Sequence, residues 1–158
     1  TQFASSAASD VYKRQTHGHE ERLNLVTQAE CKDGKLYRIR PPFLPKEIAK
    51  FHNILAKSSL SVTFTSTHKF LLAFNSRNRL TGGLFWKSLG NDKVHLEWVV
   101  IRKKYQKIEL SMRLMSDFFD RMNHERIKVI TVGFYAQRFF AKHGFKIEKQ
   151  HGGMVKLL

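Results

Sequence analysis

The chain has 158 residues, 42% of them apolar, with 13 Phe, one Cys and a formal net charge of +15 from 28 Lys+Arg against 13 Asp+Glu. That length and apolar share suit one domain with its own core, and no stretch supplies the roughly 20 apolar residues that a membrane-crossing helix needs. The lone Cys31 excludes an internal disulfide and a cysteine-based zinc cluster, and the absence of a basic-then-apolar leader at the start points to a reducing, cytoplasmic setting.

The basic balance favours anionic partners: a phosphorylated cofactor, an acidic polypeptide or RNA. Lysines and arginines are spread along the chain and do not form one arm. Neither an RNA-binding aromatic motif nor a helix-turn-helix pattern is present, which argues against nucleic acid. Nothing around Cys31 resembles a nucleophile motif.

In chain order, Ser5 to Gln15 reads SSAASDVYKRQ. This matches the in-frame translation of an adaptor used in transposase-based sequencing libraries. Residues 1–15 are therefore expected to add nothing to the fold, whether as an artefact or as a polar tail. Residues 16–34 read as an N-terminal extension or linker, with a hint of a short element at Leu23, Leu25 and Val26 and a turn signal at Lys32-Asp33-Gly34. Residues 35–158 read as the folded domain. His17-x-His19 and His143 have no metal spacing with carboxylates or Cys, so no metal is expected.

Leu36 to Arg40 alternates as a strand and stops at Pro41-Pro42. Ile48, Phe51, Ile54 and Leu55 predict a helix over about Lys46 to Lys57, with Pro45 in its first turn. Three strands follow in series at Phe70–Phe74, Leu80–Lys87 and Val94–Ile101. Short links make them an antiparallel meander. From Glu109 to Asn123 the period becomes helical, with Leu110, Leu114, Met115, Phe118, Phe119 and Met122 on one stripe. Ile127–Val132 is a continuous apolar strand, and a crossover helix of this length implies a parallel, right-handed β-α-β unit. A second helix over Ala136–His143 ends at Gly144, and Phe145–Glu148 with Met154–Leu158 reads as a closing hairpin. The fold class is therefore α/β with a mixed sheet: an antiparallel meander, then a parallel β-α-β unit.

Two segments make this pattern resemble the GNAT N-acetyltransferase family. The strand His95-Leu96-Glu97-Trp98-Val99-Val100-Ile101 leads through Arg102-Lys103-Lys104-Tyr105-Gln106-Lys107-Ile108-Glu109-Leu110-Ser111 into a long helix. It is similar to the family's acetyl-CoA segment, where Arg/Gln-x-x-Gly-x-Gly/Ala opens the helix. A pyrophosphate needs backbone N–H groups and the positive end of a helix dipole, and glycines let the main chain come close. The second segment, Phe139-Phe140-Ala141-Lys142-His143-Gly144-Phe145, resembles the family's aromatic helix ending in Gly-Phe.

The resemblance implies acetyl-CoA as co-substrate and a small-molecule or peptide amine as acceptor, by direct attack in a ternary complex, in a monomer or homodimer. It implies that main-chain groups of Val99, Val100 and Ile101 pair with the pantetheine amides. It assigns phosphate-facing amides to Gln106, Lys107, Ile108, Glu109, Leu110 and Ser111, with Lys107 as a charge partner. Phe140 would line the cofactor channel and Lys142 would reach a phosphate. Glu97 would accept the amine's proton, with His95 as its neighbour or the base itself, since alternation puts both on one strand face. Ser66, Thr67 and His68 lie where such folds bind acceptors.

Two departures stand out. Glu109 occupies the place of the family's first glycine, and a carboxylate about 5 Å from a phosphate costs roughly 3 kcal/mol at an effective dielectric near 20. Phe140 stands where members often carry the tyrosine that protonates the leaving thiolate, which leaves Tyr135 or Tyr105 to substitute. These departures keep one alternative open, a non-catalytic acyl-CoA-sensing or partner-docking module, and the basic balance keeps a second, a basic RNA-binding domain.

Overall fold

The computed structural model describes residues 25–158. The adaptor-like stretch, Leu23 and the His17-x-His19 pair lie outside the described residues. Eight strands and three helices follow in the order β1 (Thr27–Glu30), β2 (Leu36–Arg40), α1 (Pro45–Lys57), β3 (Lys69–Phe74), β4 (Leu80–Ser88), β5 (Lys93–Ile101), α2 (Leu110–His124), β6 (Val129–Val132), α3 (Gln137–Lys142), β7 (Lys146–Glu148) and β8 (Gly153–Leu157). All strands join one sheet in the order β1-β2-β3-β4-β5-β6-β8-β7. The meander is antiparallel and β5 pairs with β6 in parallel, as the crossover through α2 requires. Strand β1 lies within residues 16–34, and its four residues pair in register with β2 from Thr27↔Ile39 to Glu30↔Leu36.

The sheet is covered on both faces. On one, α1 buries Ile48, Phe51 and Leu55 against Phe64, Phe70 and Phe85. Those four phenylalanines form a ring cluster with centroids 4.7 to 6.2 Å apart. On the other face, α2 packs Leu110, Leu114, Phe118 and Met122 against Tyr37, Leu84, Trp86, Leu96 and Ile130. Each fully buried side chain of this size contributes roughly 1.5–3 kcal/mol.

Polar clamps orient both helices. Glu47, in the first turn of α1, accepts from the main-chain N–H groups of Phe43 (2.7 Å) and Leu44 (3.2 Å). It also meets buried Arg40 in a two-pronged pair at 3.0 and 2.7 Å. The Arg40 guanidinium is itself sandwiched by the Phe43 and Phe74 rings at 4.2 and 4.0 Å. On α2, Asp117 accepts from the Thr27 hydroxyl (2.7 Å) and from Arg121 (2.7 Å), and Arg121 reaches the main-chain oxygens of Leu25 and Ile39. This clip ties β1 to the helix.

The sheet opens at one place. The β5–β6 ladder runs from Lys93↔Val129 to Leu96↔Val132 and stops there. At the same level the β4–β5 register shifts: Phe85 faces Trp98 while Trp86 faces Leu96, so Glu97 is an extra residue. Such a bulge bends the strand and sharpens its twist. Beyond Leu96, β5 diverges from β6 and keeps β4 as its ladder partner. On that side the strands sit close, since a Cβ on Gly82 would lie 2.5 Å from the Val100 carbonyl oxygen.

Candidate active site

Where β5 and β6 part, a cleft of about 270 Å³ opens, lined by Val99, Ile101, Gln106, Ser111, Tyr135, Ala136, Phe139 and Phe140. Five of the expected cofactor residues therefore come together here, with Tyr135. The Tyr135 hydroxyl donates to the Glu97 carbonyl oxygen at 3.0 Å, and its ring lies 4.1 Å from the Trp98 ring. Burial, then the charge of Glu97, pushes the Tyr135 hydroxyl pKa well above the ordinary tyrosine range, so it stays protonated. Phe140 is fully buried and meets the rings of Tyr135, Phe139 and Phe145 at 5.1 to 5.2 Å. It is as much a core residue as a wall of the cleft.

The loop from β5 to α2 forms the cleft's other end. A 3-10 turn at Lys103–Tyr105 reverses the chain, and the Gln106 side-chain amide donates to the Ile101 carbonyl at 2.9 Å, fastening loop to strand. The Lys32 N–H donates to the Ile108 carbonyl at 3.0 Å, so the β1–β2 turn braces the loop from outside. Glu109 is the N-cap of α2 and is left-handed, at φ 63° and ψ 20°, with no side-chain cap. An L-residue there costs about 1–2 kcal/mol. The first-turn amides of α2 thus remain available to an anion, while the exposed Glu109 carboxylate stands beside them. Leu110 is buried and contributes main chain; Lys107 is exposed on the loop. Val100 turns its side chain into the α1-side core.

A polar cluster occupies the other face of β5. Glu97 Oε1 lies 3.5 Å from Lys87 Nζ and 4.0 Å from His95 Nε2. His95 Nδ1 is 2.8 Å from the Thr131 hydroxyl, its neighbour across the parallel ladder. Burial lowers the His95 pKa; Glu97 raises it and Lys87 and Lys93 lower it further. The net direction favours the neutral ring. His68, expected near the acceptor, is buried against the Phe64 and Phe85 rings, and its Nδ1 accepts from the Thr65 N–H at 3.0 Å. Its pKa is also lowered by burial, then raised by Glu97 and lowered by Lys87. The field of Glu97 therefore reaches His68, His95 and Tyr135.

Other expected residues lie apart. Tyr105 is buried edge-on to Tyr37 at 6.0 Å, with its hydroxyl accepting from Asn75 at 3.2 Å, and it does not line the cleft. Lys142 is exposed at the end of α3 and does not line the cleft. Three participants escaped sequence reasoning: Lys87, Thr131 and Ala136. The first two flank His95 through strand register, and nothing in their local sequence marks them. Ala136 is left-handed at φ 46°, another non-glycine strained at the cleft wall.

Among the described residues, no group of three or more His, Cys, Asp or Glu is placed to hold a metal ion, and no helix is long and apolar enough to cross a membrane.

A family model described as an acetyltransferase (GNAT) domain matches residues 39–152. No curated protein sequence matches the chain. Solved structures with the same fold include the GNAT domain of S. lividans PAT, 14% identical, TM-score 0.65, covering 84% of this chain and 94% of that one. An acetyltransferase of the GNAT family from Staphylococcus aureus is 18% identical, with TM-score 0.60 over 72% of this chain and 87% of its own. PaiA N-acetyltransferase from Thermoplasma acidophilum, solved in complex with coenzyme A, is 21% identical, with TM-score 0.52 over 73% of this chain and 72% of its own.

Proposed function

The chain belongs to the GNAT acetyltransferase family, and we propose that it transfers the acetyl group of acetyl-CoA to a primary amine in the cytoplasm. The observation that carries this reading is the divergence of β5 from β6 just past Leu96. It leaves the β5 edge past Leu96 without a strand partner along a cleft, the Glu97 and Ile101 carbonyls being held by the Tyr135 hydroxyl and the Gln106 amide, with a carboxylate and an imidazole on the strand's other face.

The cleft suits an extended, amide-containing arm. Its strand edge offers N–H and C=O groups to the pantetheine as an added strand would, and Val99, Ile101 and Phe139 supply apolar walls. The uncapped amides from Ile108 to Ser111 suit a pyrophosphate, and Lys107 suits its charge. Glu109 opposes it.

The acceptor arrives on the face that carries His95 and Glu97. An ammonium must lose a proton before it attacks. Glu97 takes it, directly or through neutral His95, and Lys87 holds the carboxylate in place. The amine nitrogen then bonds to the thioester carbon, and an N–H of β5 stabilises the developing oxyanion. The carbon–sulfur bond breaks and the electron pair leaves with sulfur. With its pKa pushed up, the Tyr135 hydroxyl keeps its proton and turns from the Glu97 carbonyl oxygen to hydrogen-bond the thiolate. Full proton transfer from so weak an acid runs uphill, so solvent water takes the second proton that the new amide nitrogen sheds and supplies one to sulfur.

Glu109 specifically favours one second reading, a module that uses the cleft to sense acyl-CoA without turnover. Kinetics separate the two. We expect free CoA to appear with a panel of primary amines, and Glu97→Gln to lower kcat about a hundredfold with KM for acetyl-CoA little changed. Turnover by Glu97→Gln equal to the parent would remove Glu97 from the mechanism. No turnover with any amine, alongside bound acetyl-CoA, would establish the sensing module.

A further inference from the structure

A second cavity lies on the α1 side of the β5–α2 loop. It is an open trough of about 680 Å³ between the end of α1, the β3–β4 turn and the segment after β5. Its rim carries Lys50, Lys57, Arg79, Arg102, Lys103 and Lys104, all exposed, and no carboxylate lines it. Among the described residues none of these six is in an ion pair; the Arg102 side chain donates only to the Leu80 carbonyl, at 3.3 Å, and the Lys104 ammonium lies 5.7 Å from the centre of the Tyr105 ring. Six cationic residues with no carboxylate partner around one hollow repel one another, and an anionic occupant relieves that repulsion. The floor is apolar, from Ile54, Leu80 and Ile101. The trough borders the acetyl-CoA cleft, since Ile101 and Gln106 line both.

We propose that this trough docks an acidic polypeptide segment and so holds a protein acceptor beside the cleft; the acceptor role rests on the acetyl-transfer reading, the docking does not. Three observations choose this occupant. The cations come from three segments, Lys50 and Lys57 on α1, Arg79 in the β3–β4 turn and Arg102 to Lys104 after β5, which suits an occupant that carries several carboxylates along its length. The aliphatic floor matches the stems and interspersed apolar side chains of a peptide. No aromatic residue lines the trough, so it offers no platform on which a nucleic-acid base stacks.

The test is fluorescence anisotropy on the full chain, without acetyl-CoA. The probe is a fluorescein-labelled peptide of eight glutamates spaced by serine and leucine. Its controls are the same peptide with glutamine for glutamate and a labelled oligouridylate of equal charge. We expect the glutamate peptide to bind, the glutamine peptide not to, and the affinity to fall with salt. Lys57→Glu with Lys103→Glu should weaken binding roughly tenfold or more. Lys35→Glu with Lys146→Glu makes the same change in net charge outside the trough and should leave binding within about twofold. Thermal melts of both double variants confirm folding. No binding of the glutamate peptide, an equal loss in both double variants, or tighter trough-dependent binding of oligouridylate would each overturn the proposal. Because no acetyl-CoA is present, a chain that docks the peptide yet transfers no acetyl group refutes the catalytic reading alone.

Discussion

At the residue scale, Glu109 carries the sharpest tension. The position needs a left-handed backbone, which glycine adopts freely and glutamate does not, and the proposed pyrophosphate site lies beside it. Glu109→Gly should therefore raise stability by about 1 kcal/mol, the relieved strain being partly offset by the freer unfolded chain. Chemical denaturation of both proteins checks this, and a destabilised glycine variant would show that Glu109 makes a compensating interaction. The sequence marked this residue as a departure by family resemblance. It did not show that the backbone keeps glycine's conformation without the glycine. The pairing of Glu97 with His95 was legible from strand alternation, although the bulge at Glu97 interrupts that alternation. The bulge was not legible, because it arises from the register between β4 and β5 and not from any residue type.

At the element scale, the strongly periodic pieces were legible and the polar ones were not. Helix α2 declared itself through Leu110, Leu114, Phe118 and Met122, all buried as the stripe requires. Strand β1 did not: Thr27-Gln28-Ala29-Glu30 has little apolar content, and it is a strand because β2 pairs with it and the Asp117–Arg121 clip holds its start. The Arg40–Glu47 pair was equally hidden, being seven residues apart across Pro41-Pro42 and the start of α1. With both side chains buried, removing one partner strands a charge. Glu47→Ala should cost about 3–5 kcal/mol, against under 1 kcal/mol for an exposed pair. A urea melt showing a loss below 1 kcal/mol would mean that water reaches Arg40 freely.

At the scale of the whole molecule, the net charge of +15 and three buried or half-buried histidines set the response to acid. His68, His95 and His143 all have pKa values lowered from the ordinary 6.5, burial being the first cause in each. As the pH falls through 6.5 the unfolded chain takes up these protons before the folded one does. Stability contributed by the neutral rings is thus present above pH 6.5 and lost as the pH falls toward the folded-state values. Glu47 and Asp33 are shifted below the ordinary 4.5 and 3.8, so their contribution is lost only at lower pH. Tm should therefore decline between pH 7 and 5, before the carboxylates titrate. A flat Tm over that range would mean the three histidines titrate alike in both states.

To the same scale belongs the opening between β5 and β6, proposed as an acetyl-CoA site. The most direct measurement is calorimetric titration of the chain with acetyl-CoA, with Glu109→Gly in parallel. Micromolar binding at one site is expected of the chain as it stands, tightened in the glycine variant. No heat of binding from either protein would contradict it.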